Sequence, residues 1–507
     1  MTSEEMKDST VEETMPSGVA SKIDYEDATH VEYEPIDPEE EKKLVRKLDM
    51  VIMPMMAFVY FFQYIDKQTI NYAAIFGLKT DLKLTGDEFS WVVSLFYLGQ
   101  LCSQWPAAYL LSRLPITVFV GGTIIAWGAV EMCLASPSNF GGMAAIRFFL
   151  GFTEGSVSPA FIIITSLWYK RSEHNSRVST WVAMNGVAQI VAALLMYGIA
   201  KNEHALAPWR VLFLVTGGMT IACGVVFVLW MPRSPGSAWF LNEKERSLAV
   251  RRLAADRGTK EGSDFNWAQA REALTTPTTW LYFMMALGLT LPTPIIKFSS
   301  TVINGFGFDT YKTMLVGLPA GVFSSGSVIL AAILPAYIRI KYIRIYTGLI
   351  VTAIPLIGSA LMTSLPLDAS WGVVVATWLA GGFAGTLSIS AGLMASNVKG
   401  NTKKSVVSTG FFVCYCIGCL VAPQAWQSKD APRYSTGNYL SIGSLCLLFL
   451  TFIAYGVEME RRNRNRDRKA AQGDSRYIVT EADGVATGVS LSSDMTDIED
   501  KVFRYRF

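Results

Sequence analysis

Twelve apolar stretches, each about 18–25 residues long and so long enough to cross a bilayer as a helix, run through this 507-residue sequence. They cover roughly 50–74, 88–111, 116–136, 141–168, 178–200, 209–231, 278–303, 311–338, 345–365, 371–396, 405–427 and 438–458. In lipid every backbone polar group must find a partner inside the protein, so stretches of this length fold as spanning helices. Composition agrees. Hydrophobic residues make up 51% and charged residues 17%, where an ordinary soluble domain carries about 25% charged. That excludes a soluble enzyme, a nucleic-acid binder and a secreted disulfide scaffold. All seven cysteines fall inside apolar stretches, where a free thiol behaves as a small packing residue. Cys414 and Cys416 would point to different helix faces, and no histidine lies near them, so no metal site is expected.

The polar segments set the organisation. Residues 1–41 hold 14 acidic and 2 basic side chains, a composition that favours a disordered tail. We read 1–48 as that tail, 49–231 as a six-helix half, 232–277 as a polar loop, 278–458 as a second six-helix half and 459–507 as a second tail. Within the loop, Asn242 to Asp256 reads as a short amphipathic helix with Asn242 as its cap. Loops 2–3, 4–5, 6–7, 8–9 and 10–11 carry 18 Lys/Arg against 7 on the opposite side. The positive-inside rule then predicts both termini and the central loop in the cytoplasm.

Few charges remain inside the spans: Asp66 and Lys67 in span 1, Arg147 and Glu154 in span 4, and Lys297 in span 7. Glu131 lies near the end of span 3 and is expected to reach the interface. A charge at the bilayer centre costs about 2.5–3.5 kcal/mol on insertion scales, so such residues need partners or a wet cavity. Seven residues turn a helix by about 700°, which puts Arg147 and Glu154 on one face roughly 10 Å apart. Gly151 between them leaves room for a ligand or a facing side chain. Two readings follow: an anion clamp with a titratable carboxylate, or ion bridges to Asp66 and Lys67. Lys67 and Lys297 fall at matching depths of spans 1 and 7, where they either serve a carboxylate together or snorkel to the interface. Gln104, beside Gln100, and Asn185, beside Gln189, are further cavity candidates, with interhelical hydrogen bonding as the alternative. Pro292 and Pro294 predict a kinked or broken span 7. No nucleotide-binding glycine loop, Ser-His-Asp set, metal cluster or cofactor motif is present, so an ATP-driven pump and an enzyme are not expected.

The stretch Tyr64-Ile-Asp-Lys-Gln-Thr-Ile-Asn-Tyr-Ala-Ala74 resembles that of the fungal allantoate permease group, in the anion:cation symporter family of the major facilitator superfamily. So do Arg147-Phe-Phe-Leu-Gly-Phe-Thr-Glu154 with Pro159, Trp168-Tyr169 with Glu173 and Arg177, Trp209-Arg210, and the stretch from Pro232 to Arg246. Phe306-Gly-Phe308, Asn397-x-x-Gly400-x-Thr402-Lys403, Pro423-Gln424 and Asp430-Ala-Pro-Arg-Tyr434 also resemble it. Together they cover about residues 42–460. The resemblance implies an all-α membrane protein of the twelve-helix major facilitator fold, two six-helix halves about a central cytoplasmic loop. It implies a multi-pass plasma-membrane secondary transporter that imports a small organic anion such as allantoate, ureidosuccinate or a carboxylate vitamin with protons, working as a monomer. It ties Arg147 and Glu154 to anion handling and proton coupling, and Lys67 to the basic position after the span 1 Asp. Lys297 matches no family position. Asp66 is the alternative proton carrier, expected to be held ionised by Lys67 and Arg147. Arg233 stands where the family more often has an acidic residue, and Leu111-Ser-Arg-Leu-Pro115 lacks the gate signature of many facilitators. The runner-up readings are an exporter of a fungal secondary metabolite on the same fold and a non-transporting nutrient sensor.

Overall fold

The computed structural model describes residues 36–85, 87–202, 205–257, 265–338, 340–366, 370–431, 433–474, 476 and 495–507. Most of the acidic opening segment lies outside these residues. Among them, eleven helices are long and apolar enough to cross a membrane. The twelfth spanning element, Glu88–Arg113, is just as long but is diluted by Gln100, Gln104, Ser90, Ser94 and Ser103. In chain order the spans are α1 (Pro38–Asp81), α2 (Glu88–Arg113), α3 (Ile116–Cys133), α4 (Phe140–Trp168), α5 (Arg171–Lys201) and α6 (Pro208–Trp230). The second half holds α7 (Pro277–Gly305), α8 (Thr310–Tyr337), α9 (Ile343–Ser364), α10 (Ser370–Asn397), α11 (Asn401–Ala425) and α12 (Ser435–Ala471).

The packing repeats. In the first half α1 packs on α5, α2 on α4 and α3 on α6; in the second α7 packs on α11, α8 on α10 and α9 on α12. The halves join through α5 against α8 and α2 against α11, two contacts that the same pseudo-twofold exchanges. Small residues permit both kinds of approach. A Cβ on Gly151 of α4 would lie 1.8 Å from the Phe96 carbonyl oxygen of α2, and one on Gly186 of α5 would lie 2.0 Å from the Gly321 carbonyl oxygen of α8. Gly151 is therefore filled by backbone and leaves no room for a ligand, contrary to the sequence reading.

Element boundaries differ from the hydropathy reading at both ends. The first helix begins at Pro38 rather than near 50: Asp37 accepts from the Glu39 amide, Pro38 sits at the first helical position and Glu39, Glu40 and Glu41 occupy the first turn, where acidic side chains suit the helix dipole. Leu44, Leu48 and Ile52 then bury one stripe. The last helix runs on to Ala471, carried by ion pairs from Glu458 to Arg461 and Arg462 and from Glu460 to Arg464. Residues 495–507 lie against this end of the second half. In the central loop a helix covers Glu243–Arg257; its start is held by Glu245 accepting from the Asn242 amide at 2.8 Å. A second loop helix, Trp267–Thr275, is capped by the Asn266 side chain.

Three spans are broken near mid-length. α7 turns at residues 291–293 between Pro277–Thr290 and Pro294–Gly305, as its prolines predict. The Thr290 carbonyl is kept satisfied by the Thr293 amide at 3.0 Å and hydroxyl at 2.6 Å. α10 turns at residues 381–383 and α4 at 155–156.

The end of the bundle that carries the central loop is called the loop side here, and the other the far side. The hydrogen bonds that join the halves gather toward the far side. Ser94 donates to the Leu420 carbonyl at 2.7 Å, Gln424 to Ser94 at 2.9 Å, Tyr311 to the Ala200 carbonyl at 2.9 Å and Asn71 to Ser300 at 3.1 Å.

Candidate functional site

The intramembrane charges converge where α1, α4 and α7 meet. The Lys67 ammonium lies 2.6 Å from Glu154 Oε1, and Glu154 is fully buried. The polar α1 face that carries Lys67 also carries Gln63 and Asn71, one turn to either side, and both are buried. Lys297 reaches across from α7 and donates to the backbone carbonyl of Lys67, so the two lysines meet at one depth from opposite halves. Neither reaches an end of the bundle: Lys297 is 7% exposed and the Lys67 side chain 17%. Aromatic rings lie beneath both ammonium groups, Phe96 for Lys67 and Tyr64 for Lys297, each 5.9 Å to the centroid. The break in α7 positions Lys297, because the second segment of that helix starts only three residues earlier at Pro294.

Arg147 is 2% exposed. Its Nε and Nη2 have no hydrogen-bond partner, and its guanidinium stands over the Phe213 ring of α6 at 5.8 Å. None of Glu131, Glu154 and Asp66 forms an ion pair with it among the described residues. Asn185 of α5 is 9% exposed with its Oδ1 unpartnered, and Gln189, one turn on, also has an unpartnered Oε1. Arg147, Asn185 and Gln189 thus keep polar capacity that the protein itself leaves unused.

Other sequence candidates have different surroundings from those expected. Asp66 does not pair with Lys67 or Arg147. Its Oδ2 accepts from the Trp127 indole at 2.7 Å and from Thr220 at 3.3 Å, inside the first half. Consecutive residues on a helix do not share a face, so being next to Lys67 in sequence gave Asp66 no claim on it. Glu131 does not reach the interface. It is fully buried, and its Oε1 accepts from Thr69 at 3.3 Å and Thr216 at 3.4 Å. Its position near the end of an apolar run misled; the threonines of α1 and α6 that receive it were the available signal. Gln104 donates to the carbonyls of Gln100 and Gly155 at 3.1 and 3.2 Å, an α2–α4 packing bond rather than an open donor.

The chemistry available is a buried cluster of three cations and three carboxylates in which, among the described residues, only Lys67 and Glu154 form an ion pair. Lys67, Arg147 and Lys297 face one paired carboxylate, Glu154, with Asp66 and Glu131 held by hydroxyl and indole donors behind them. Such a centre suits an anion, and a proton on Glu154 would release Lys67.

The sequence pattern of the Major Facilitator Superfamily matches residues 56–423. An uncharacterized transporter of Schizosaccharomyces pombe is 36% identical over 99% of this chain and 96% of its own length. The allantoate permease of Saccharomyces cerevisiae is 32% identical over 95% of this chain and 88% of its own. Among solved structures, the proton:xylose symporter XylE bound to 6-bromo-6-deoxy-D-glucose superposes with a TM-score of 0.62 at 12% identity, covering 81% of this chain and 95% of that one.

Proposed function

This chain belongs to the major facilitator superfamily, and from that premise we propose that it is a proton-coupled symporter importing a small organic anion across the plasma membrane. In this reading residues 49–231 and 278–458 are the two rocking halves, and both termini and the loop 232–277 face the cytoplasm. The observation that carries it is the Lys67–Glu154 ion pair set among Arg147 and Lys297. Similarity to an allantoate permease supports a carboxylate such as allantoate, ureidosuccinate or a carboxylate vitamin as substrate.

The coupling is an exchange of partners. A proton arriving on Glu154 neutralises it and frees Lys67. The substrate carboxylate then takes the place of Glu154 against Lys67 and reaches the open guanidinium edge of Arg147. Lys297, held against the α1 backbone, contributes charge from the second half and sets which substrates fit. Asn185 supplies an acceptor to the polar part of the ligand. Proton and anion each make room for the other, which is the positive linkage a symporter needs. Asp66 is the alternative carrier, and the single-chain monomer is the working unit.

Uptake of labelled allantoate, nicotinate and pantothenate into transporter-deficient yeast, at two external pH values and with a protonophore, tests this. Uptake should rise as external pH falls and collapse with the protonophore. Uptake of none of these anions, or uptake indifferent to pH and protonophore, overturns the proposal.

A further inference from the structure

The motif Asn397-x-x-Gly400-x-Thr402-Lys403 lies on the loop side, far from the charge centre, and the transport reading leaves it without a task. In the structure it is where residues 495–507 are seated. Lys403 is 2% exposed and is clasped by two carboxylates, Asp497 at 2.6 Å and Glu272 of the loop helix Trp267–Thr275 at 2.7 Å. Asn397 works in both directions: its side chain donates to the Arg506 carbonyl and accepts from the Arg506 amide, at 2.7 and 2.8 Å. Lys399 pairs with Asp500 at 2.5 Å.

The segment is bound by α12 as well. Asn463 exchanges two backbone-type hydrogen bonds with Tyr505, at 2.9 and 3.0 Å. Arg466 donates to the carbonyls of Asp497 and Phe503. Tyr505 is 5% exposed and donates its hydroxyl to Asp497 at 2.8 Å. Burial pushes that phenol up to about 12, so it stays a donor at physiological pH. Thr496 and Asp497 are buried at 0% and 3%.

Asn397 and Lys403 flank the turn from α10 to α11. Above that turn α10 is broken at residues 381–383, so its loop-side segment Ala384–Asn397 is a half-helix with a hinge at one end and the bound segment at the other. That half-helix also packs against α5 of the first half. Fixing its free end therefore fixes how the second half meets the first on the loop side. Covalent connection does not force the arrangement: the 23 residues between Ala471 and Met495 can reach about 75 Å when extended. Lys399–Asp500 and Arg504–Asp467 are charge pairs of partly exposed side chains, which are individually weak, while Lys403–Asp497 is buried and carries most of the hold.

We propose that residues 495–507 form a detachable internal peptide ligand whose docking on Asn397, Lys399, Lys403, Asn463 and Arg466 holds the α10 half-helix in place and stabilises the far-side-closed state seen here. Undocking frees the half-helix to swing and shifts the population toward the far-side-open state. The docking surface presents Lys399, Lys403 and Arg466, and its occupant, with three acidic and three basic side chains, brings Asp497 and Asp500 to the two lysines alongside Phe503, Tyr505 and Phe507. The conformational part of this inference rests on the alternating-access reading above; the docking itself does not.

The test uses purified protein, full-length or ended after Asp494, with the synthetic peptide 495–507 added back. Hydrogen exchange at residues 398–404 should be about tenfold faster in the shortened chain, and peptide in excess should restore protection. Asp497→Asn in the full chain should speed the same exchange without shortening it, which covers the case in which the shortened protein fails to fold. A Ser94→Cys reporter in the far-side seam should react severalfold faster with a membrane-impermeant maleimide when 495–507 is absent, and slow again with peptide. Unchanged exchange at residues 398–404 in both the shortened chain and Asp497→Asn overturns the docked ligand. Faster exchange with unchanged Ser94→Cys labelling overturns its control of the conformational state. Neither readout uses a transported substrate, so failure of the anion-symport reading shows separately, as absent uptake by the full-length chain.

Discussion

The two halves repeat one packing plan and differ in what they bury. The first half holds Asp66, Lys67, Glu131, Arg147 and Glu154 between its helices. The second half buries one intramembrane charge, Lys297, and otherwise hydroxyls such as Thr290, Ser324 and Ser390, these three fully buried. The helix pairs are nevertheless the same in both halves. Architecture here comes from apolar length and close backbone approach at small residues, not from charge. Charge is an addition to one copy of the plan, and under the function proposed above it would divide the labour: proton and anion chemistry in the first half, tuning from the second.

Breaking the charged half should give the largest effect. Arg147→Ala should abolish uptake while the protein remains in the membrane, since it removes the unpartnered guanidinium edge offered to the substrate carboxylate; Arg147→Lys should rescue poorly, because lysine lacks the fork that matches a carboxylate. Normal uptake by Arg147→Ala would make Arg147 a packing residue of α4 and α6. Next comes Glu154→Gln, a fixed neutral mimic. It should bind and exchange substrate yet lose accumulation against a gradient. Accumulation at the native level would move the proton site to Asp66 or away from this centre.

Lys297→Met probes the second half and should act more gently. We expect roughly tenfold weaker apparent affinity or an altered substrate range, equivalent to about 1.4 kcal/mol, with protein abundance unchanged. Unchanged uptake kinetics would remove Lys297 from the site and leave the second half with no charge in the chemistry. The smallest effect belongs to the loop side. Lys47 pairs with Glu245 at 2.7 Å, with both side chains about a third exposed. The hydrogen bond from Lys47 holds the Glu245 carboxyl below its usual value of 4.5. A carboxyl lowered by folding stabilises above its unfolded value and loses that contribution as pH falls through the folded one. Glu245→Gln should therefore lower the Tm by a degree or two at most at neutral pH, and the difference should vanish once the pH drops well below 4.5. A pH-independent difference would mean that Glu245 acts by capping its helix through Asn242 rather than by charge.

Much of the bundle was legible because bilayer thickness fixes helix length. The break in α7 was legible too, since two prolines within three residues leave two amide donors missing. The helical start at Pro38 was not, because its polar first turns fall below any hydropathy window and are held by capping and by Leu44, Leu48 and Ile52. Within the site, the one-dimensional spacing of Arg147 and Glu154 identified a shared face but not the partners. Glu154 turned to Lys67, and Arg147 turned to the ring of Phe213. Partner choice depends on which helix stands opposite, and the halves' packing sets that. Glu131 was misplaced for the same reason: its threonine partners lie 62 and 85 residues away in the chain. The role of Asn397 and Lys403 was equally hidden, because the segment they hold lies about a hundred residues on.

The meeting of Gly186 with Gly321 has a consequence for the energetics of turnover. Where α5 crosses α8 the two backbones touch directly, and glycine has no side-chain rotamers to lose or reset. A movement of one half against the other can roll about that backbone contact, while beside it the Ser325 hydroxyl of α8 must release the Ala183 carbonyl of α5, which it holds at 2.8 Å. The crossing behaves as a bearing with one hydrogen bond across it. Further resistance to motion lies at the far-side seam, where Ser94, Gln424, Tyr311 and Asn71 must exchange their hydrogen bonds. The temperature dependence of turnover should accordingly follow substitutions in the seam, while a bulky side chain at either glycine should jam the rotation itself.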